Sequence, residues 1–118
     1  MARQCDQDRL KTGKTNLVIG EEWNPDQHFP AFFGVPISIK DNIEMKSTAA
    51  TVGLSCRANI IQEEDSPYIT CIKNSGMIPF VKTNLPQLAF CFDSNNFLWG
   101  KTLNPWNHNK SAGGSSGG

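Results

Sequence analysis

Two short apolar runs with helix signals between them constrain this chain more than any other feature. The first follows Gly34-Val35-Pro36: Val35, Ile37 and Ile39 alternate with Ser38 and Lys40, the period of a strand with one buried face. The second, Met77, Ile78, Phe80 and Val81, ends at Thr83-Asn84. Between them Ser66-Pro67 reads as an N-cap followed by proline at the first helical position. Ile69, Cys71 and Ile72 supply a short apolar stripe and Gly76 a stop, so a helix of about three turns is predicted. Parallel neighbours need a connection of a dozen or more residues, usually a helix, so the order strand, helix, strand predicts a parallel crossover. The fold class expected is α/β.

The flanking segments are less patterned. Residues 1–33 show no sustained period and carry the turn signals Asn24-Pro25-Asp26 and Phe29-Pro30. They read as an irregular or disordered lead-in, with order beginning at Gly34 and residues 34–118 forming one domain or the amino-terminal part of one. Residues 46–65 read as an irregular connection around Gly53-Leu54. A second helix is predicted from Pro86 and Gln87 through Leu88, Ala89, Phe90 and Phe92, and everything beyond Asp93 reads as loop. No repeat of 20 to 50 residues is evident.

Charge removes several classes of partner. Eleven basic residues balance eleven acidic ones, so nucleic acid and anionic membrane surfaces are not expected partners. The polar start MARQCDQDRLKTGKTN has no apolar core of a signal peptide, and no run approaches the roughly 18 apolar residues of a spanning helix. The expectation is a soluble, non-secreted chain, cytoplasmic or peripheral to internal membranes. Cys5, Cys56, Cys71 and Cys91 are widely spaced without a C-x-x-C pair, so no zinc and no cofactor is expected. They read as reduced, partly buried thiols, two disulfides being the alternative in a secreted chain.

Other local patterns carry little. Gly13-Lys14-Thr15 and Gly100-Lys101-Thr102 lack the upstream glycine of a phosphate loop, where Asp8 and Asn95 stand instead. Asn109-Lys110-Ser111 is a glycosylation sequon that matters only in a secretory chain. His28 and His108 have no partner at ligand spacing and read as surface residues. Trp23, Trp99 and Trp106 read as packing residues or pocket wall.

Taken alone, Lys40 is a solvent-facing lysine on a half-buried strand, and Gly113-Gly114-Ser115-Ser116-Gly117-Gly118 is a flexible linker. Together they read differently. Gly34-Val35-Pro36-Ile37-Ser38-Ile39-Lys40-Asp41-Asn42 resembles the G-V-P-x-x-x-K-[DE] strand of the amidase-signature family. Lys110-Ser111-Ala112-Gly113-Gly114-Ser115-Ser116-Gly117-Gly118 resembles that family's glycine- and serine-rich signature. Gly76 through Asn84, Asp93-Ser94-Asn95-Asn96, Gly100 and Asn104-Pro105-Trp106 are similar in order and spacing to the branch containing fatty-acid amide hydrolases. The resemblance covers residues 34–118 and implies part of that family's mixed sheet with flanking helices, incomplete in this chain.

The resemblance implies a Ser-Ser-Lys triad. An amide is a poor electrophile, so its hydrolysis needs an activated nucleophile and donors for the tetrahedral oxyanion. In the family a neutral lysine draws a proton through a bridging serine, held by a cis peptide, and so activates a second serine. Lys40 matches the base and Ser115 the bridge. A lysine acts this way only when neutral, which demands burial and no carboxylate partner. Asp41 follows Lys40 and so points to the opposite face of the strand.

The family's nucleophilic serine and oxyanion donors follow the bridging serine, and residues 1–118 stop before both. The expectation is that these residues alone are inactive and leave apolar sheet edges uncovered. The segment from Gln87 to Phe92 borders the substrate channel in the fatty-acid amide branch. Ala89 stands where methionine is common there, and Ala89 and Ser115 are the expected substrate contacts. The resemblance therefore implies a small-molecule amide substrate with a long acyl chain and a homo-oligomeric full-length parent. The lead-in does not resemble the membrane segment of that branch. The alternative function is a non-catalytic lipid-binding or interaction module derived from an amidase.

Overall fold

In the computed structural model, residues 29–118 are described; most of the lead-in, with Cys5, Trp23 and His28, lies outside them. Strand β1, Pro36–Lys40, alternates as its sequence requires: Ile39 is buried, Ile37 packs against the same core, and Ser38 and Lys40 take the other face. Helix α1, Pro67–Asn74, buries Ile69 and Ile72, and strand β2, Ile78–Thr83, returns parallel to β1. The predicted crossover is present. Ile39, Met45, Ile69 and Ile72 form the core between sheet and helix, edged by Ile37, Ile43 and Met77. Each fully buried aliphatic side chain contributes about 1.5–3 kcal/mol relative to exposure.

The helix spans eight residues, about two turns rather than three. Ser66 holds the N-cap backbone conformation, but its hydroxyl makes no cap bond. The helix ends at the expected stop, where Gly76, at φ +88°, closes a Schellman motif: Gly76 N donates to Lys73 O at 3.0 Å and Met77 N to Ile72 O at 3.3 Å. Order also begins before Gly34. Residues 30–34 turn and dock on the helix terminus, Phe32 N donating to Ser75 O at 3.1 Å and Gly34 N to Gly76 O at 2.9 Å.

The helix predicted over 86–92 does not form. Only a 3-10 turn, Gln87–Ala89, occurs there, with Leu88 and Ala89 left-handed at φ 56° and 58°. Leu88 N donates out of the segment to Val52 O, and Leu88, Phe90 and Phe92 are exposed, so no buried apolar face supports a helix. The region beyond Asp93 is not all loop. Strands β3, Asn95–Asn96, and β4, Gly100–Lys101, pair antiparallel, as do β5, Leu103–Asn104, and β6, Asn107–Ser111. The intervening connection 46–65 holds a 3-10 turn, Ser55–Arg57, and one bridge between Ala49 and Ile61.

Cys56, Cys71 and Cys91 are free thiols, but exposed rather than partly buried. In Cys71 the cause is helical phase, since Ile69 and Ile72 take the inward stripe. Phe80, Phe90, Phe92 and Trp106 are also largely exposed. Among the described residues, no helix is long and apolar enough to cross a membrane.

Candidate active site

The chemistry-bearing residues collect at the carboxyl ends of β1 and β2, where ligands bind in open α/β sheets. Lys40 is the last residue of β1 and stands opposite Thr83, the last of β2. That pairing depends on an irregularity. Between Ile37 and Ser38 the register slips by one, so Ser38 meets Val81 and Ile39 meets Lys82. With an unbroken register Lys82 would stand beside Lys40 on the same face. The extra residue sends it to the opposite face.

There Lys82 Nζ donates to Ile43 O at 2.5 Å and lies 3.9 Å from Asp41 Oδ1. Burial holds Lys82 below the ordinary lysine range, against the opposing pull of the Asp41 and Glu44 carboxylates. Asp41 is itself buried and accepts from Thr51 N at 3.2 Å and from the Thr51 hydroxyl. Its carboxylate is thus engaged away from Lys40. Asp41, Lys82, Thr83, Asn84 and Trp99 line a cavity of about 320 Å³ beside the strand ends.

Ser115 arrives on the glycine-rich loop, and Lys40 Nζ donates to its Oγ at 2.7 Å. Both residues are half-buried, and Lys40 takes part in none of the four ion pairs among the described residues. The Gly114–Ser115 peptide is cis. The loop is seated by Ser94 N on Gly113 O at 2.9 Å, Ala112 N on Thr102 O at 3.0 Å and Gly113 N on Ser111 Oγ at 3.3 Å. A Cβ on Gly114 would lie 2.8 Å from Phe92 C and 2.9 Å from Asp93 N, so only glycine allows this approach.

Lys40 and Ser115 are therefore brought together. Ala89 lies in the left-handed turn, half-buried, with its N donating to Pro86 O at 2.8 Å; its hydrogen bonding is local. The sequence assigns no functional role to Asn84, Asn96 and Thr51, which tie the surrounding loops together with Trp99, a residue it does place as packing or pocket wall. Asn84 and Asn96 fell within the segments that carry the resemblance but had no role assigned, and Thr51 carried no signal at all. No group of three or more His, Cys, Asp or Glu suited to a metal occurs among the described residues.

A parallel strand pair whose ends bring a lysine amine to a serine on a glycine-rich loop defines an α/β protein with a serine–lysine site. The chain belongs to the Amidase family, whose model matches residues 18–118. It is 48% identical over 86 residues to "Vitamin D3 hydroxylase-associated protein" of Gallus gallus, covering 73% of this chain and 18% of that protein. Against "Fatty-acid amide hydrolase 1" of Sus scrofa the identity is 44% over 86 residues, covering 73% and 15%. The solved structure described as "Fatty acid amide hydrolase" superposes with a TM-score of 0.74 at 25% identity, over 98% of this chain and 18% of that one. The chain thus spans less than a fifth of the length of these relatives.

Proposed function

We propose that the protein carrying these residues hydrolyses fatty-acid amides, with Lys40 as base and Ser115 as proton bridge. The 2.7 Å contact between Lys40 Nζ and Ser115 Oγ is the observation that carries this reading. A neutral amine at that distance accepts the Ser115 hydroxyl proton while Ser115 Oγ takes a proton from the attacking serine. Run in reverse, the same path hands a proton to the leaving amine. Water then releases the acyl group. Asp41, which follows Lys40 in the chain, accepts from Thr51 and pairs with Lys82 rather than with Lys40, which supports the assignment.

The substrate class rests on relatives named as fatty-acid amide hydrolases and on the surface around Ala89. Leu88, Phe90 and Phe92 present exposed apolar side chains beside it, suited to one wall of an acyl-chain channel. In this reading Ala89 and Ser115 meet the substrate. The attacking serine of the family is not among residues 1–118, so these residues by themselves orient a proton relay without turnover. A serine-directed fluorophosphonate tests this on the 118-residue polypeptide. No labelling is expected, whereas labelling abolished by Ser115→Ala would make Ser115 the nucleophile and refute its role as bridge.

A further inference from the structure

A chain of hydrogen bonds, made by side chains and by the backbone of Trp99 and Asn84, joins the elements around Lys40 and Ser115. It starts at Asp41, the residue after Lys40 in the chain, which accepts from Thr51. Thr51 Oγ1 accepts from Trp99 Nε1 at 3.1 Å, and Trp99 N donates to Asn96 Oδ1 at 2.7 Å. Asn96 Nδ2 donates to Asn84 Oδ1 and to Leu85 O, both at 2.7 Å. Asn84 carries the connection to the serine loop: its Nδ2 donates to Thr102 Oγ1 at 2.9 Å and Gly100 O at 3.1 Å, and its O accepts from Gly117 N at 3.4 Å.

Asn96 is the node of this run. Its Oδ1 accepts from Leu98 N and Trp99 N and its Nδ2 donates twice, so the full capacity of a side-chain amide is used in a residue only 6% exposed. A fully satisfied buried polar network is rigid, and any substitution that removes donors leaves acceptors unpaired. Asn96 also has little room to shift, since a Cβ on Gly53 would lie 3.0 Å from Asn96 Cβ.

We propose that Asn96 is a positioning residue whose buried amide sets the separation of Lys40 and Ser115, by locking the Asp41–Thr51 side of the site to the loops that seat the serine. This rests on the reading of Lys40 and Ser115 as one relay. Asn96→Asp keeps the acceptor for Leu98 and Trp99 and removes both donors; Asn84→Asp keeps the acceptor for Asn96 and removes the donors to Gly100 and Thr102.

The test is NMR on the full 118-residue chain, reading the cross-peak between the Lys40 ε-methylene and the Ser115 β-methylene beside those between Ile39 and the helix residues Ile69 and Ile72. Wild type is expected to show all of them. Both variants are expected to lose the Lys40–Ser115 peak and keep the core peaks. A retained Lys40–Ser115 peak in Asn96→Asp overturns the proposal and leaves the relay standing. Loss of the core peaks together with it makes Asn96 a general structural residue and also overturns the proposal. Absence of the Lys40–Ser115 peak in wild type overturns the relay itself and the positioning role with it.

Discussion

Lys40 Nζ and Ser115 Oγ lie 2.7 Å apart although 75 residues separate them in the chain. Three local features create this contact. A register slip in the parallel pair keeps Lys82 off the Lys40 face, Thr51 engages the carboxylate of Asp41, and glycine at 114 lets the serine loop press against the backbone of Phe92 and Asp93. None of the three acts on Lys40 or Ser115 directly. The pair is a product of the packing around it.

Ile39 couples the core to the site, since it is 1% exposed and precedes Lys40 on the strand. Ile39→Ala is expected to lower stability by about 2–4 kcal/mol, through lost burial and the cavity left between sheet and helix. Urea unfolding measures this. A loss within the range of surface substitutions would mean that the Ile39–Ile69–Ile72 cluster does not carry the fold.

Gly114→Ala places a methyl group against backbone atoms, which cannot turn aside as a side chain could. The expected cost is about 1–3 kcal/mol in the same unfolding assay, with displacement of the loop that bears Ser115. An unchanged midpoint would show that the loop packs less closely on Phe92 and Asp93.

Asp93 lies against Gly114 of the serine loop, and its carboxyl, 2.9 Å from Lys101 Nζ, is held below the ordinary value of 3.8, chiefly by Lys101. An acid with a lowered folded-state value adds stability above its unfolded value, and that contribution is lost as pH falls through the folded value. The carboxyl carbon of Asp93, followed by NMR, should therefore titrate below 3.8 and move upward in Lys101→Ala. Titration at or above the ordinary value would contradict the clamp.

The sequence made the crossover legible because period and punctuation agreed: alternation at Ile37 and Ile39, Pro67 opening the helix and Gly76 closing it. It hid what depends on distant partners. The left-handed turn at Leu88 and Ala89 is anchored by Val52, which no reading of 86–92 alone reveals. The two hairpins beyond Asp93 rest on strands as short as two residues, rich in Asn and Gly, that carry no apolar period. Lys40 and Ser115 were legible through family resemblance, whereas Asn84 and Asn96, though within the resembling segments, showed no role because their amide bonds join loops remote in sequence.

Amide hydrolysis is the most direct test of the relay. The assay compares kcat/KM for a primary long-chain fatty-acid amide in an amidase-domain protein that includes residues 1–118 with the values for Lys40→Ala, Ser115→Ala and the double variant. Each single substitution is expected to lower it by about 10²–10⁴-fold, and the double variant little further, because base and bridge act as one unit. Wild-type turnover in either single variant would contradict the account.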